Sequence, residues 1–249
     1  MKKLILVLND LAGTGKTTSA QVLHEYLLRR GVEHIQVSTD ATSDLHLPEV
    51  EVLDIANCLE PHDIISLIDR GGVAIVDVHS EDGAAILGDF FVENEIAALL
   101  GELDASLTLV IPVNDDLESF EGIEGLTRAF ADDAEYVVVR SAIPAEYGDA
   151  FEGSEGAHAL GQLGAIFVEM PEMDCDLLGE LERLGHSVAE ALFDRQQLPR
   201  YVRNDLHAWE IDFSEALGEA DEFLLPGGHK ESVSVMISPY ATGEFGLAS

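Results

Sequence analysis

Lys3-Leu4-Ile5-Leu6-Val7-Leu8-Asn9-Asp10-Leu11-Ala12-Gly13-Thr14-Gly15-Lys16-Thr17-Thr18 runs from an apolar strand, through a Gly-rich turn, into the start of a helix. That is the layout of a phosphate-binding loop. Glycines at 13 and 15 allow the backbone to turn tightly and aim its N–H groups inward at an anion. The helix that follows begins with unpaired N–H groups and the positive end of its dipole. Lys16 is placed to reach β- and γ-phosphates, and the Thr17 hydroxyl to sit on Mg²⁺. Gly13, Thr14, Gly15, Lys16, Thr17 and Thr18 form the expected nucleotide-binding set. Asp10 stands where the G-x-x-x-x-G-K-[ST] pattern has its first glycine. The plain alternative is a Gly-rich turn capping an ordinary helix.

Outward from this loop, the 249-residue chain is long enough to bury a full α/β core, and 47% of its residues are hydrophobic. Its charge is extreme: 48 acidic residues against 13 basic ones give −35. Such a surface repels nucleic acid and anionic lipid and keeps a chain soluble. It suits a salt-adapted source, or docking on a basic partner. Cys58 and Cys175 are isolated and form no metal or redox pattern, which fits a reducing cytoplasm. The opening Met1-Lys2-Lys3-Leu4-Ile5 resembles a secretory signal only briefly, because Asn9-Asp10 breaks its short apolar run. No segment approaches the length of a membrane span.

Apolar runs alternate with helical patterns along the chain, which predicts a mostly parallel sheet with helices on both faces, a Rossmann-like three-layer P-loop NTPase fold. Strands are expected at 4–8, 34–37, 50–55, 73–78, 107–113, 135–139 and 166–169. Helices are expected at 16–30, around 64–68, and over 84–103, 117–130, 175–193 and 206–225. Residues 1–225 read as one domain. The patternless 226–249 reads as a C-terminal arm or tail.

A P-loop ATPase needs a second acid near Mg²⁺, and Val73-Ala74-Ile75-Val76-Asp77 offers one at a strand end, where open α/β sheets bind ligands. Asp77 would hold Mg²⁺ through water; the alternative is a strand-end cap. Asp40, in Val37-Ser38-Thr39-Asp40, could orient the attacking water; an ordinary turn acid is the alternative. His79 could sense the γ-phosphate or pack against the strand end.

Together these residues resemble the ParA/MinD family of deviant-Walker ATPases. The loop is similar to that family's x-K-G-G-x-G-K-T-T, and Leu107-Thr108-Leu109-Val110-Ile111-Pro112-Val113 to its strand closing in I-P-V. Asp40 lies where the family has D-x-D. The resemblance covers most of residues 1–140, and only the loop is specific. It implies that Lys16 and Asp40 are catalytic, that Thr17 and Asp77 hold Mg²⁺, and that ATP is the nucleotide. Phe91-Val92-Glu93-Asn94-Glu95 is faintly similar to ParA-like proteins of plasmid conjugation and stability. Three departures stand out. Leu11 replaces the lysine that reaches a partner subunit's nucleotide, Ser38 replaces the first acid of D-x-D, and Arg140-Ser141 ends the strand that often supplies a base-reading Asn.

The resulting expectation is a cytoplasmic, slowly hydrolysing Mg·ATP switch in plasmid or chromosome partition, stability or transfer. A protein partner of basic character and a nucleotide-dependent homodimer are expected with it, but neither strong nucleic-acid binding nor membrane attachment. The rivals are a P-loop kinase or ligase acting on a small metabolite, and a non-catalytic nucleotide-binding adaptor.

Overall fold

The computed structural model describes residues 2–39, 50–57, 59–79, 82–114, 116, 118–141, 151 and 153–227. Asp40, Cys58 and the tail from 228 onward lie outside the described residues. Seven strands, β1 (Lys2–Val7), β2 (Ile35–Ser38), β3 (Glu51–Val52), β4 (Val73–Asp77), β5 (Ala105–Val113), β6 (Glu135–Arg140) and β7 (Ile166–Glu169), form one sheet of order β3-β2-β4-β1-β5-β6-β7. Every pairing is parallel.

The sequence builds this sheet because its central strands are apolar on both faces, as a parallel sheet covered on both sides requires. Side chains alternate along β1, so Leu4, Leu6 and Leu8 enter one core and Ile5 and Val7 the other. The first core is closed by α2 (Pro61–Gly71), α3 (Gly83–Glu93), α4 (Ile96–Glu102), α5 (Glu118–Phe130) and α6 (Glu155–Gln162). The second is closed by α1 (Lys16–Arg29), α7 (Cys175–Leu184), α8 (Val188–Phe193), α9 (Arg200–Leu217) and α10 (Asp221–Leu224). This is the expected three-layer α/β arrangement. Each fully buried Leu, Ile or Val contributes roughly 1.5–3 kcal/mol of transfer free energy.

Helix boundaries differ from the periodic reading where local backbone geometry intervenes. The apolar pattern over 84–103 predicts one helix, but the chain turns at Asn94-Glu95, with Glu95 at φ 50°. The turn re-aims the chain so that Ile96 and Leu100 are buried. The run over 175–193 also divides. Gly185 ends α7 in the left-handed region, and a capping box between Ser187 and Glu190 starts α8. The last long helix begins at Arg200, just after Pro199, rather than at 206. The third strand shrinks to Glu51–Val52.

At the edge where the strands begin, Lys3 is fully buried. Its Nζ donates to Glu135 Oε2 at 2.6 Å, to the Phe223 carbonyl at 2.7 Å and to Thr108 Oγ1 at 3.2 Å. Three ammonium protons thus meet three acceptors, and α10 is tied to β1, β5 and β6. Where the strands end, β1 is the switch point: β4, β2 and β3 lie to one side of it, β5, β6 and β7 to the other. Parallel sheets open their ligand crevice at that end.

Candidate functional site

The loop between β1 and α1 has the predicted backbone. Gly13 and Gly15 have φ of 78° and 92°, and Gly15 is the residue from which α1 starts. Both angles lie in the region that side chains disfavour, which is why glycine is needed here. The Ser19 N–H donates to the Gly15 carbonyl at 2.8 Å, closing the first helical turn.

Asn9, a residue to which the sequence reading gave no role, anchors the loop. Its side-chain amide donates to the carbonyls of Pro112 (2.9 Å) and Ser119 (3.0 Å), and its oxygen accepts the Leu11 N–H at 2.9 Å. One buried side chain thus ties the loop to the end of β5 and the start of α5. The signal available was a polar Asn interrupting an apolar run at a strand end.

A lysine where a loop enters a helix is expected to be exposed and outside the core, yet Lys16 is only 7% exposed, and its Nζ donates to the Leu11 carbonyl at 2.6 Å. The stem lies against the protein while the ammonium curls into its own loop. The loop therefore holds its cation inward, on its own Leu11 carbonyl.

Asp10 shows what replaced the motif's first glycine. Its carboxylate faces the backbone N–H groups of Ala84 and Ala85, in the first turn of α3. Asp82, which directly precedes that helix, makes no side-chain cap. Asp10 thus sets an acid against the positive end of the helix after β4. Burial raises its pKa above the ordinary aspartate range, against the pull of the two amides. Its Oδ1 is buried without a hydrogen-bond partner among the described residues. A Cβ at Gly122 would stand 3.2 Å from Asp10 Oδ2, so the small residue lets α5 come close.

Asp77 ends β4 beside Val7 of β1 and Ser38 of β2. It is 8% exposed, and its Oδ1 has no hydrogen-bond partner among the described residues. Thr17 Oγ1 lies 3.2 Å from His79 Nδ1, which is 3.7 Å from Asp77 Oδ2. The segment after β2 is joined to this corner. The Thr39 N–H donates to the Asp77 carbonyl at 3.0 Å, and Thr39 Oγ1 accepts the His79 N–H at 2.9 Å. Asp40 follows in sequence, outside the described residues. A hydroxyl and a carboxylate with a spare buried oxygen suit a hard divalent cation, so this donor set fits Mg²⁺.

Two larger clefts flank the loop. One of about 460 Å³ is lined by Ala12, Gly13 and residues 15–18 of the loop together with His79, Ser187 and Ala189. Another, of about 370 Å³, lies on the far side of Gly13 and Gly15 against Ser141, Met170, Pro171, Met173 and Trp209. Trp209 Nε1–H donates to the Pro171 carbonyl at 2.8 Å, fixing that wall. Neither Met170 nor Trp209 figured in the sequence reading, because α9 and the end of β7 meet the loop only through the fold.

No family model matches the sequence, and no curated protein matches it. Similar solved structures include a ParA family ATPase from Chlorobium tepidum TLS, 13% identical, covering 85% of this chain and 99% of that one at a TM-score of 0.45. The MinC:MinD cell division protein complex of Aquifex aeolicus is 12% identical, covering 85% and 96% at 0.44. An ATP complex of a Cyanothece McdA variant is 14% identical, covering 88% and 96% at 0.45. Likeness at this level leaves the assignment to the chain's own geometry, its strand order and its glycine loop. Among the described residues, no helix is long and apolar enough to cross a membrane.

Proposed function

We propose that the chain is a ParA/MinD-like switch ATPase that binds Mg·ATP at the β1–α1 loop and hydrolyses it slowly. The observation that carries this reading is the corner where Thr17 and Asp77 meet across His79, with Lys16 next to Thr17 folded into the loop and Asp77 holding a spare buried oxygen. In the bound state Lys16 neutralises β- and γ-phosphate charge, while Gly13, Thr14, Gly15 and Thr18 supply backbone and hydroxyl donors. Thr17 and Asp77 would hold Mg²⁺, which would supply positive charge to offset that of the phosphates. Asp40 orients the attacking water. The base enters the 370 Å³ cleft between Met170, Met173 and Trp209, whose apolar walls suit a flat ring.

The working unit is a nucleotide-dependent homodimer that acts on a protein partner of basic character, in positioning, partition or transfer. Leu11 offers a carbonyl to Lys16 and no charge to a second subunit, so the dimer forms through other contacts. Among the described residues, nine basic side chains face an acidic partner within the chain: Lys2, Lys3, Arg29, Arg30, Arg70, Arg128, Arg140, Arg183 and Arg195. Few cations remain to release counterions from DNA phosphates. The partner is therefore a protein rather than nucleic acid.

Phosphate release from Mg·ATP with no acceptor present tests the reading. Slow release, lost in Asp40→Ala while nucleotide affinity is retained, supports the switch, because the water contact is made chiefly in the transition state. Release only with an added metabolite identifies a kinase. Binding without release identifies an adaptor.

A further inference from the structure

We infer that His79 is a nitrogen ligand of the divalent cation at this site, and that it biases the site away from Mg²⁺ toward Mn²⁺ or Co²⁺. The inference rests on the nucleotide-binding reading above and goes beyond it, since the phosphate-loop motif assigns only oxygen donors to the metal.

Three observations converge. The first is spacing. Two ligands of one six-coordinate ion, each about 2.1 Å from it, stand about 3 Å apart when adjacent. His79 Nδ1 is 3.2 Å from Thr17 Oγ1 and 3.7 Å from Asp77 Oδ2. The second is space. A cavity of about 20 Å³, room for one water- or ion-sized body, has Thr17, Asp77 and His79 on one side and an apolar wall of Val37, Val50 and Ile75 on the other. The third is the buried Asp77 Oδ1, which has no hydrogen-bond partner among the described residues. A carboxylate oxygen held out of water without a donor is costly unless a cation meets it.

The imidazole is also held in place. Its backbone N–H is fixed on Thr39 Oγ1, and the ring stands directly after β4. Mg²⁺ favours all-oxygen shells and sheds water reluctantly, whereas an imidazole nitrogen raises affinity along the series Mn²⁺, Fe²⁺, Co²⁺. Exchanging one oxygen position for His79 Nδ1 therefore changes the choice of metal more than the binding of phosphate.

The test uses the full chain labelled with ¹⁵N-histidine, loaded with a non-hydrolysable ATP analogue and Mn²⁺. Pulsed electron paramagnetic resonance should show ¹⁵N coupling to Mn²⁺, distinct from the ¹⁴N of the base. In the analogue-bound fraction of His79→Ala and of His79→Gln that coupling should be absent. The preference for Mn²⁺ over Mg²⁺ should fall about tenfold in His79→Ala relative to wild type. Analogue and Mn²⁺ bound without ¹⁵N coupling would overturn the role of His79 and leave the nucleotide site standing. Coupling that persists in His79→Ala would overturn it as well. Failure of the wild type to bind the analogue with either metal would overturn the nucleotide reading and this inference together.

Discussion

Two buried polar clusters sit at opposite ends of the same central strands, and they are built on opposite terms. At the strand beginnings, every proton of the Lys3 ammonium has an acceptor, and Glu135 also takes the Thr108 hydroxyl. At the strand ends, Asp77 and Asp10 each keep a buried oxygen without a partner among the described residues. A satisfied cluster locks helices onto a sheet and has nothing left to offer a ligand. An unsatisfied one carries a desolvation cost that binding can relieve. On these terms the strand-end cluster keeps acceptors open to a ligand, and the Lys3 cluster ties α10 to the sheet.

The largest expected effect lies at the strand ends. Lys16→Ala should lower turnover on the order of 10³-fold, or abolish nucleotide binding, through loss of the charge that meets the phosphates. Its circular dichroism should stay that of the wild type, because the 2.6 Å hydrogen bond of Lys16 Nζ runs within its own loop and ties no two elements of the core together. Calorimetric titration with Mg·ATP checks binding. Wild-type affinity and turnover in this variant would break the comparison at once.

The Lys3 cluster should show the reverse pattern. Burial depresses the Lys3 pKa against the pull of Glu135, so the pair gains little net stability over an apolar replacement. Removing one partner is another matter. Lys3→Met leaves Glu135, with a side chain only 18% exposed, without its cation. The expected loss is about 3 kcal/mol in urea unfolding, with nucleotide affinity unchanged. Lys3→Met combined with Glu135→Gln should recover part of it.

Asp10 joins the two themes, since its buried carboxylate faces the start of α3. Asp10→Ala should cost about 1 kcal/mol through loss of the acid at the α3 N-terminus. Asp10→Asn keeps an acceptor oxygen there and removes the charge. Because folding raises this pKa, the carboxyl contributes most stability below the ordinary value of 3.8 and loses it as pH rises through the raised one. The Asn variant lacks that loss. Its melting temperature should gain on the wild type as pH is taken upward from the ordinary aspartate range to neutrality, and a constant gap would place Asp10 in a more solvated setting.

The smallest expected effect is on DNA. Duplex binding by the isolated chain, followed by fluorescence anisotropy, should stay weak with or without ATP and nearly flat with salt. Tight, salt-sensitive binding would reveal a basic face.

The loop was legible because its geometry is dictated by residues adjacent in sequence. Positive φ at 13 and 15 needs glycine, a lysine and two threonines follow, and a helix begins. The strands were legible because burial on both faces leaves unbroken apolar runs. The breaks at Asn94-Glu95 and Gly185 were hidden, because apolar periodicity continues across a turn when both flanking helices face the same core. Ser187-x-x-Glu190 did carry a start signal that periodicity overrode.

The amino-acid sequence by itself determined the phosphate loop, the parallel sheet with helices on both faces, and the acidic surface, since each follows from local conformation, side-chain alternation or charge. Only the tertiary structure decided that Asp10 faces the start of a helix more than seventy residues away, that Lys16 folds into its own loop, and that His79 stands between Thr17 and Asp77. Those contacts depend on how the loop closes over itself and on how β1, β4 and α3 pack together, which no local pattern in the chain encodes.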